Sequence, residues 1–264
     1  TRFLELVERA LPIESVEQNV SLVLGYLETT YWKYLSASGR ERVAAELEEM
    51  LWQQVVASDS VSERSVYFRA YRGIATTEGA VERLHAVWQG NNVVPGLTLT
   101  ERDLTTLALE LAVRGVDGVE DILRTQLEGI ENGDRRSEFE FIMDAVSAVP
   151  SDRDEFFSQL TDASNRERET WVLRGLQYLN HPIWAQQAER YLPESLELLE
   201  EIQRTGDIFF PERWLGSTLS GHQTASAATI VQDYLATHPE LPGRLRLKVL
   251  QAADSLFRAQ RVVN

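Results

Sequence analysis

Apolar residues recur at intervals of three and four along almost the whole chain of 264 residues. Leu104, Leu107, Ala108 and Leu111 follow this spacing, which places all four side chains on one face of an α-helix. Two further stripes are Phe139, Ile142, Met143 and Val146, and Leu245, Val249, Ala252 and Leu256. No run of alternating apolar and polar residues is long enough to predict a β-strand. The sequence therefore predicts an all-α protein.

Polar residues at the ends of these stripes predict where helices begin. Capping-box spacing occurs at Ser60 with Glu63 and at Ser164 with Glu167, and in a weaker form at Ser151. Thr100 precedes an acidic first turn. Turns are predicted where Gly, Pro, Asn and Ser cluster, at 38–39, 90–92, 95–96, 132–134, 180–182, 206–207 and 238–239. Between the turns there is room for about a dozen helices of about 10–20 residues each.

The connections between these helices are short, so neighbouring helices should run antiparallel as helical hairpins. Such hairpins can form a globule or stack into a curved superhelix of the armadillo or HEAT kind, and we expect the superhelix. The sequence shows no repeat at the ~40–47-residue period of those families, so this expectation is geometric. We predict a single domain over residues 1–264, with the loop at 90–97 as the candidate for a sub-domain break.

Charge and composition exclude several functions. Lys and Arg number 26 against 41 Asp and Glu, a net charge of −15, which repels nucleic acid. The chain has no Cys, which excludes disulfides, thiolate zinc sites and a cysteine nucleophile. No apolar run approaches the ~18 residues of a membrane span. The start at Thr1, without Met or signal peptide, leads us to expect a piece of a longer protein from either cytoplasm or periplasm.

Nearly every cation is an arginine, because Lys33 and Lys248 are the only lysines. One interpretation is the codon bias of a GC-rich genome. The other is that arginines are retained to bind carboxylates or peptide ends, for which the guanidinium group is well suited.

Catalytic motifs are absent from the sequence. The histidines are His85, His181, His222 and His238, and no two have the four-residue spacing of a zinc-binding helix. There is no Gly-x-Gly fingerprint, P-loop or Gly-x-Ser-x-Gly elbow. Acidic groups near 117–121, 138–140 and 152–155 are interpreted as solvated helix faces and helix starts. We therefore predict no catalytic residue, no metal ligand and no cofactor in this chain.

Aromatic residues concentrate after 206–207. Phe209, Phe210 and Trp214 surround a proline there, a density typical of a helix-packing anchor and also compatible with a ligand slot. Arg213 and His222 are the nearby polar residues that we expect to be exposed. They are the candidate substrate-binding residues.

The last third of the chain resembles a known family. The strings YLPESLELL at 191–199, QRTGDIFFP at 203–211, PELPGRLR at 239–246 and KVLQAAD at 248–254 are similar to the C-terminal end of bacterial zinc metallopeptidases of the aminopeptidase N type. The resemblance covers about residues 185–260, and none of these strings is a catalytic motif. In the family, a helical C-terminal domain cups the catalytic domain and encloses the chamber in which the peptide lies.

The resemblance implies a non-catalytic domain that closes over the active site of a zinc aminopeptidase. Its partners would be the catalytic domain of the same polypeptide and the peptide substrate, and zinc would be held by residues outside this chain. Isolated, the chain should be inactive. The alternative is an independent helical scaffold that binds a peptide or protein on a concave face. A third interpretation is a hydrolase that uses a carboxylate pair, which would act without metal.

Overall fold

The computed structural model describes residues 2–263, and Thr1 and Asn264 lie outside the described residues. The expectation of a longer protein rested partly on Thr1. Within 2–263 there are sixteen α-helices, four short 3-10 helices and no β-strand. The all-α prediction is confirmed. The helices outnumber the predicted dozen because the segment 185–205, which contains Pro193, is divided into several pieces of four to seven residues.

The chain divides into two compact units between Gly118 and Val119. The loop at 90–97, the predicted candidate for a sub-domain break, lies within the first of them. Gly118 itself has a positive φ of 74°, a conformation that costs a glycine little and other residues more.

Unit 1 contains six α-helices. They are α1 (Arg2–Ala10), α2 (Glu17–Tyr34), α3 (Ala37–Ala57), α4 (Val61–Ile74), α5 (Glu78–Trp88) and α6 (Glu101–Val113). Helix α4 packs against α2, α3 and α6, and α5 packs against α6. The core includes Leu27, Tyr31, Leu47, Tyr71 and Leu84, all fully buried. The apolar stripe at 104–111 contributes to this core as predicted.

Unit 2 contains ten α-helices. They are α7 (Val119–Gly129), α8 (Gly133–Met143), α9 (Pro150–Gln159), α10 (Glu169–Leu179), α11 (Ala185–Ala188), α12 (Leu192–Glu197), α13 (Leu199–Thr205), α14 (Phe210–Leu219), α15 (Ala225–Thr237) and α16 (Gly243–Val263). Helix α14 packs against α10, α12, α13 and α16, and α15 packs against α12 and α16. The fully buried Trp214 on α14 lies in the hydrophobic core of this unit.

The helix starts follow the predicted caps in two cases and depart from them in two. The hydroxyl of Ser60 accepts the Glu63 N–H, and Thr100 forms a complete capping box with Asp103. Ser164 instead lies inside a 3-10 helix whose cap is Asp162, because the carboxylate of Asp162 accepts the Ser164 N–H. Ser151 lies within the first turn of α9, which starts at Pro150; proline suits that first position because it has no N–H to leave unpaired.

The predicted turn at 38–39 lies two residues too late. Ser36 caps α3 by accepting the N–H of Gly39, so residues 38 and 39 form the first turn of that helix. None of the helices within 2–263 is both long and apolar enough to cross a bilayer.

Candidate functional site

His222, one of the two candidate substrate-binding residues, lies in the turn after α14. Its side chain is 1% exposed, so the expectation that it is exposed was wrong. Nε2 of His222 donates to Oδ1 of Asn180 at 3.0 Å, and Nδ2 of Asn180 donates to the carbonyl oxygen of Leu176 at 2.9 Å. The amide group of Asn180 thereby fixes the orientation of the imidazole.

Burial also determines the protonation state of His222. Desolvation of the imidazole lowers its pKa to about 4, against a small opposing effect of the Glu189 carboxylate. The ring is therefore neutral at pH 7. Nδ1 has no hydrogen-bond partner within residues 2–263, because the single ring proton is used at Nε2. These features describe an imidazole that holds two turns together inside unit 2.

Gly221 brings the same two turns into close contact. A Cβ atom at this position would overlap the backbone oxygen of Asn180, so the two backbones touch where any larger residue would place its side chain. Gly221, directly before the candidate residue His222, thus has a packing role.

Arg213, the second candidate, is on the surface of α14. Its guanidinium carbon lies 5.7 Å from the centre of the Phe209 ring, within cation–π range. Phe209 and Ile208 are themselves 56% and 70% exposed. We call Ile208, Phe209 and Arg213 the Arg213 patch. It can contact a partner that offers an apolar group beside an acidic one.

The neighbouring aromatic residues behave differently. Phe210 and Trp214 are buried and pack edge to face, with ring centres 6.0 Å apart. The indole Nε1 of Trp214 donates to the backbone oxygen of Ser195 at 3.0 Å. These two rings form the predicted packing anchor, and they also exclude a ligand slot at their own position.

Some of the acidic residues at 117–121, 138–140 and 152–155 are paired with arginines. Three of the carboxylates form ion pairs with arginines: Asp121 with Arg124, Glu138 with Arg174 and Asp154 with Arg190. Over residues 2–263, no three His, Cys, Asp or Glu side chains are grouped so that they could hold a metal ion. The described residues therefore do not fit the zinc site of the family that the sequence resembles.

A cleft in unit 1 was not predicted. It has a volume of about 70 Å³ and lies between α4 and the segment 97–103. Its lining comprises Ser65, Phe68, Arg69, Arg72, Leu97, Thr98, Leu99 and Asp103. The sequence feature that could have indicated this cleft is the pair Arg69 and Arg72, three residues apart on one helix face, with Ser65 one turn earlier. Opposite them, residues 97–100 are irregular backbone that sequence patterns do not position, and Asp103 lies in the first turn of α6.

No family model matches the chain, and no curated protein is found that resembles it.

Proposed function

We propose that this chain is a non-catalytic helical domain of a zinc aminopeptidase of the aminopeptidase N type, where it forms a wall of the peptide-substrate chamber. The observation that carries the proposal is the resemblance of residues 185–260. The all-helical fold and the poor fit to zinc are compatible with it, because that role needs a helical wall and no metal ligand.

The strings that carry the resemblance include core residues of unit 2. Leu192, Leu196 and Leu199 from the first string are fully buried, as are Phe210 and Trp214 near the second. The third string includes the turn before α16 and the start of that helix, where Leu245 is buried. A resemblance that contains no catalytic motif points to a shared helical architecture rather than to shared chemistry. In keeping with it, we propose that the hairpins within each unit stack in the armadillo or HEAT manner.

In this proposal the Arg213 patch faces the substrate chamber or the catalytic domain. Exposed Ile208 and Phe209 gain from leaving water, and Arg213 can bind a carboxylate with two parallel hydrogen bonds.

The test compares the full-length product of the gene with the chain of residues 1–264. Zinc content and hydrolysis of aminoacyl-anilides are measured on both. Zinc and activity in the full-length protein alone are expected. A full-length protein without an upstream His-Glu-x-x-His, or activity in the 1–264 chain, would overturn the proposal.

A substitution tests the Arg213 patch within the full-length protein. Arg213→Gln should raise KM for peptides of several residues while leaving the hydrolysis of aminoacyl-anilides unchanged, because only a longer substrate reaches the wall. Arg204→Gln, an exposed arginine on α13 that bonds the Glu200 backbone oxygen, is the matched control. Equal effects of the two substitutions would remove Arg213 from the substrate path.

The second candidate function is an independent scaffold that binds a peptide or protein partner. The exposure of Ile208 and Phe209 beside a cation favours it equally, since such a surface also serves a separate partner. A complete reading frame of about this length, with neither zinc nor peptidase activity, would favour the scaffold over the aminopeptidase domain.

A further inference from the structure

Two arginines on α4 are held by no hydrogen bond or ion pair among the described residues of unit 1. Arg69 and Arg72 lie one turn apart and line the cleft described above. Neither guanidinium group makes a hydrogen bond or an ion pair with another residue in the range 2–263. A pair of guanidinium groups on one face of a helix repels itself unless an anion lies between or beside them.

The carboxylates near these arginines leave them available. Oδ2 of Asp103 accepts the Thr100 N–H at 2.8 Å and the Thr100 hydroxyl at 2.7 Å, so this acid is engaged in the cap of α6. Glu28 interacts electrostatically with both arginines but forms an ion pair with neither. The lining itself carries two arginines and one carboxylate, a formal charge of +1, in a chain whose net charge is −15.

The remaining lining selects the kind of anion. The hydroxyl groups of Ser65 and Thr98 can donate hydrogen bonds, while Phe68, Leu97 and Leu99 provide apolar walls. The volume of about 70 Å³ is several times the ~10–15 Å³ that one water molecule needs. A cleft of this volume has room for a small acidic group and for the first atoms of an apolar substituent.

We propose that this cleft binds the carboxylate of a ligand whose neighbouring group is apolar. Guanidinium groups bind a planar carboxylate with two parallel hydrogen bonds each. Inorganic phosphate is disfavoured because it has no apolar group to contact Phe68, Leu97 and Leu99. The proposal depends on unit 1 alone and holds whether or not the chain belongs to an aminopeptidase.

The test is a titration of the 1–264 chain with N-acetylleucine, followed by NMR shifts of the amide groups near the cleft. The neutral N-acetylleucinamide and inorganic phosphate are titrated in parallel. We expect saturable binding of N-acetylleucine with a dissociation constant of about 1–10 mM. The amide should bind at least tenfold more weakly, and phosphate should bind more weakly than the acid.

Substitutions locate the site. Arg69→Gln and Arg72→Gln should each weaken binding of N-acetylleucine about tenfold, and Arg72→Lys should recover only part of the loss because lysine lacks the planar fork. Arg42→Gln, an exposed arginine of α3 that bonds the Ser38 backbone oxygen, should bind like the unaltered chain. Circular dichroism checks that each variant is folded.

Three results would overturn the proposal. They are unchanged affinity in the Arg69→Gln and Arg72→Gln variants, equal binding of acid and amide, and tighter binding of phosphate than of N-acetylleucine. Absence of saturable binding up to ~50 mM N-acetylleucine would also overturn it, because such binding is weaker than that of a specific site for a small ligand.

Discussion

Glu48 and Arg114 bind opposite polar groups of the same turn in unit 1. The Glu48 carboxylate accepts the backbone N–H groups of Thr76 at 2.6 Å and Thr77 at 3.1 Å. The Arg114 guanidinium group donates to the backbone oxygen of Ala75 at 2.6 Å. This turn joins α4 to α5, so two charged side chains from other helices satisfy peptide groups that are buried or partly buried between them.

Removing the Glu48 carboxylate should destabilise unit 1. Glu48 is 3% exposed and also accepts the hydroxyl groups of Thr76 and Thr77, so Glu48→Ala leaves two N–H groups without an acceptor. We expect a loss of about 2–4 kcal/mol in the free energy of unfolding, measured by urea denaturation. Glu46→Ala, on the exposed side of the same helix, should change it by less than ~0.5 kcal/mol. Similar losses in both variants would contradict the role of Glu48.

Replacing Arg114 tests the other half of the arrangement. Its side chain is 2% exposed and donates to the backbone oxygens of Arg72 and Glu110 as well as Ala75. Lysine keeps the charge but cannot reach three divergent acceptors, so Arg114→Lys should lower the free energy of unfolding by about 2–4 kcal/mol. Faster hydrogen exchange at residues 72–77 should accompany the loss. Arg102→Lys on the exposed face of α6 is the control, and a loss of the same size there would count against the argument.

The sequence predicts the helices better than it predicts what joins them. Stripes such as 104–111 specify a helix and its buried face because both follow from neighbours three and four residues apart. The cap at Thr100 is equally local. Glu48, in contrast, contacts a turn 28 residues later, and no local pattern marks it as buried. Its structural role could not be distinguished from that of the exposed acids around it.

The two candidate site residues illustrate the same limit. The exposed position of Arg213 follows from its place on α14, between the buried Trp214 and the solvent-facing Glu212. His222 was expected to be exposed as a polar residue near the aromatic cluster that follows 206–207, but it lies in the turn after α14. That turn packs against Asn180, a residue 42 positions earlier, and only the folded chain brings the two together. The Arg69–Arg72 cleft was missed for a related reason, since three of its eight lining residues are in a loop.

Gly221 and Gly216 offer a matched pair of glycine substitutions in unit 2. Gly221→Ala would drive its Cβ into the backbone oxygen of Asn180, and we expect a loss of at least ~2 kcal/mol in the free energy of unfolding. Gly216 lies within α14, where an added Cβ would meet nothing within 4 Å. Gly216→Ala should therefore raise the free energy of unfolding by about 0.5–1 kcal/mol. Urea denaturation measures both, and a Gly221→Ala variant as stable as the unaltered chain would show that the turns at 180 and 221 do not touch.

The buried imidazole of His222 should make unit 2 sensitive to acid. Its pKa is about 4 in the folded protein against 6.5 as the ordinary value, so the unfolded chain takes up a proton first as the pH falls. The free energy of unfolding is therefore unaffected by this group above pH 6.5, and it falls by about 3 kcal/mol between pH 6.5 and pH 4. Denaturation by urea between pH 7 and 4 should show a smaller decrease in His222→Gln, which keeps an N–H for Asn180 but does not titrate. His85→Gln in unit 1 is the control and should retain the full decrease. Equal pH dependence in the unaltered chain and both variants would mean that His222 is accessible to protons in the folded state.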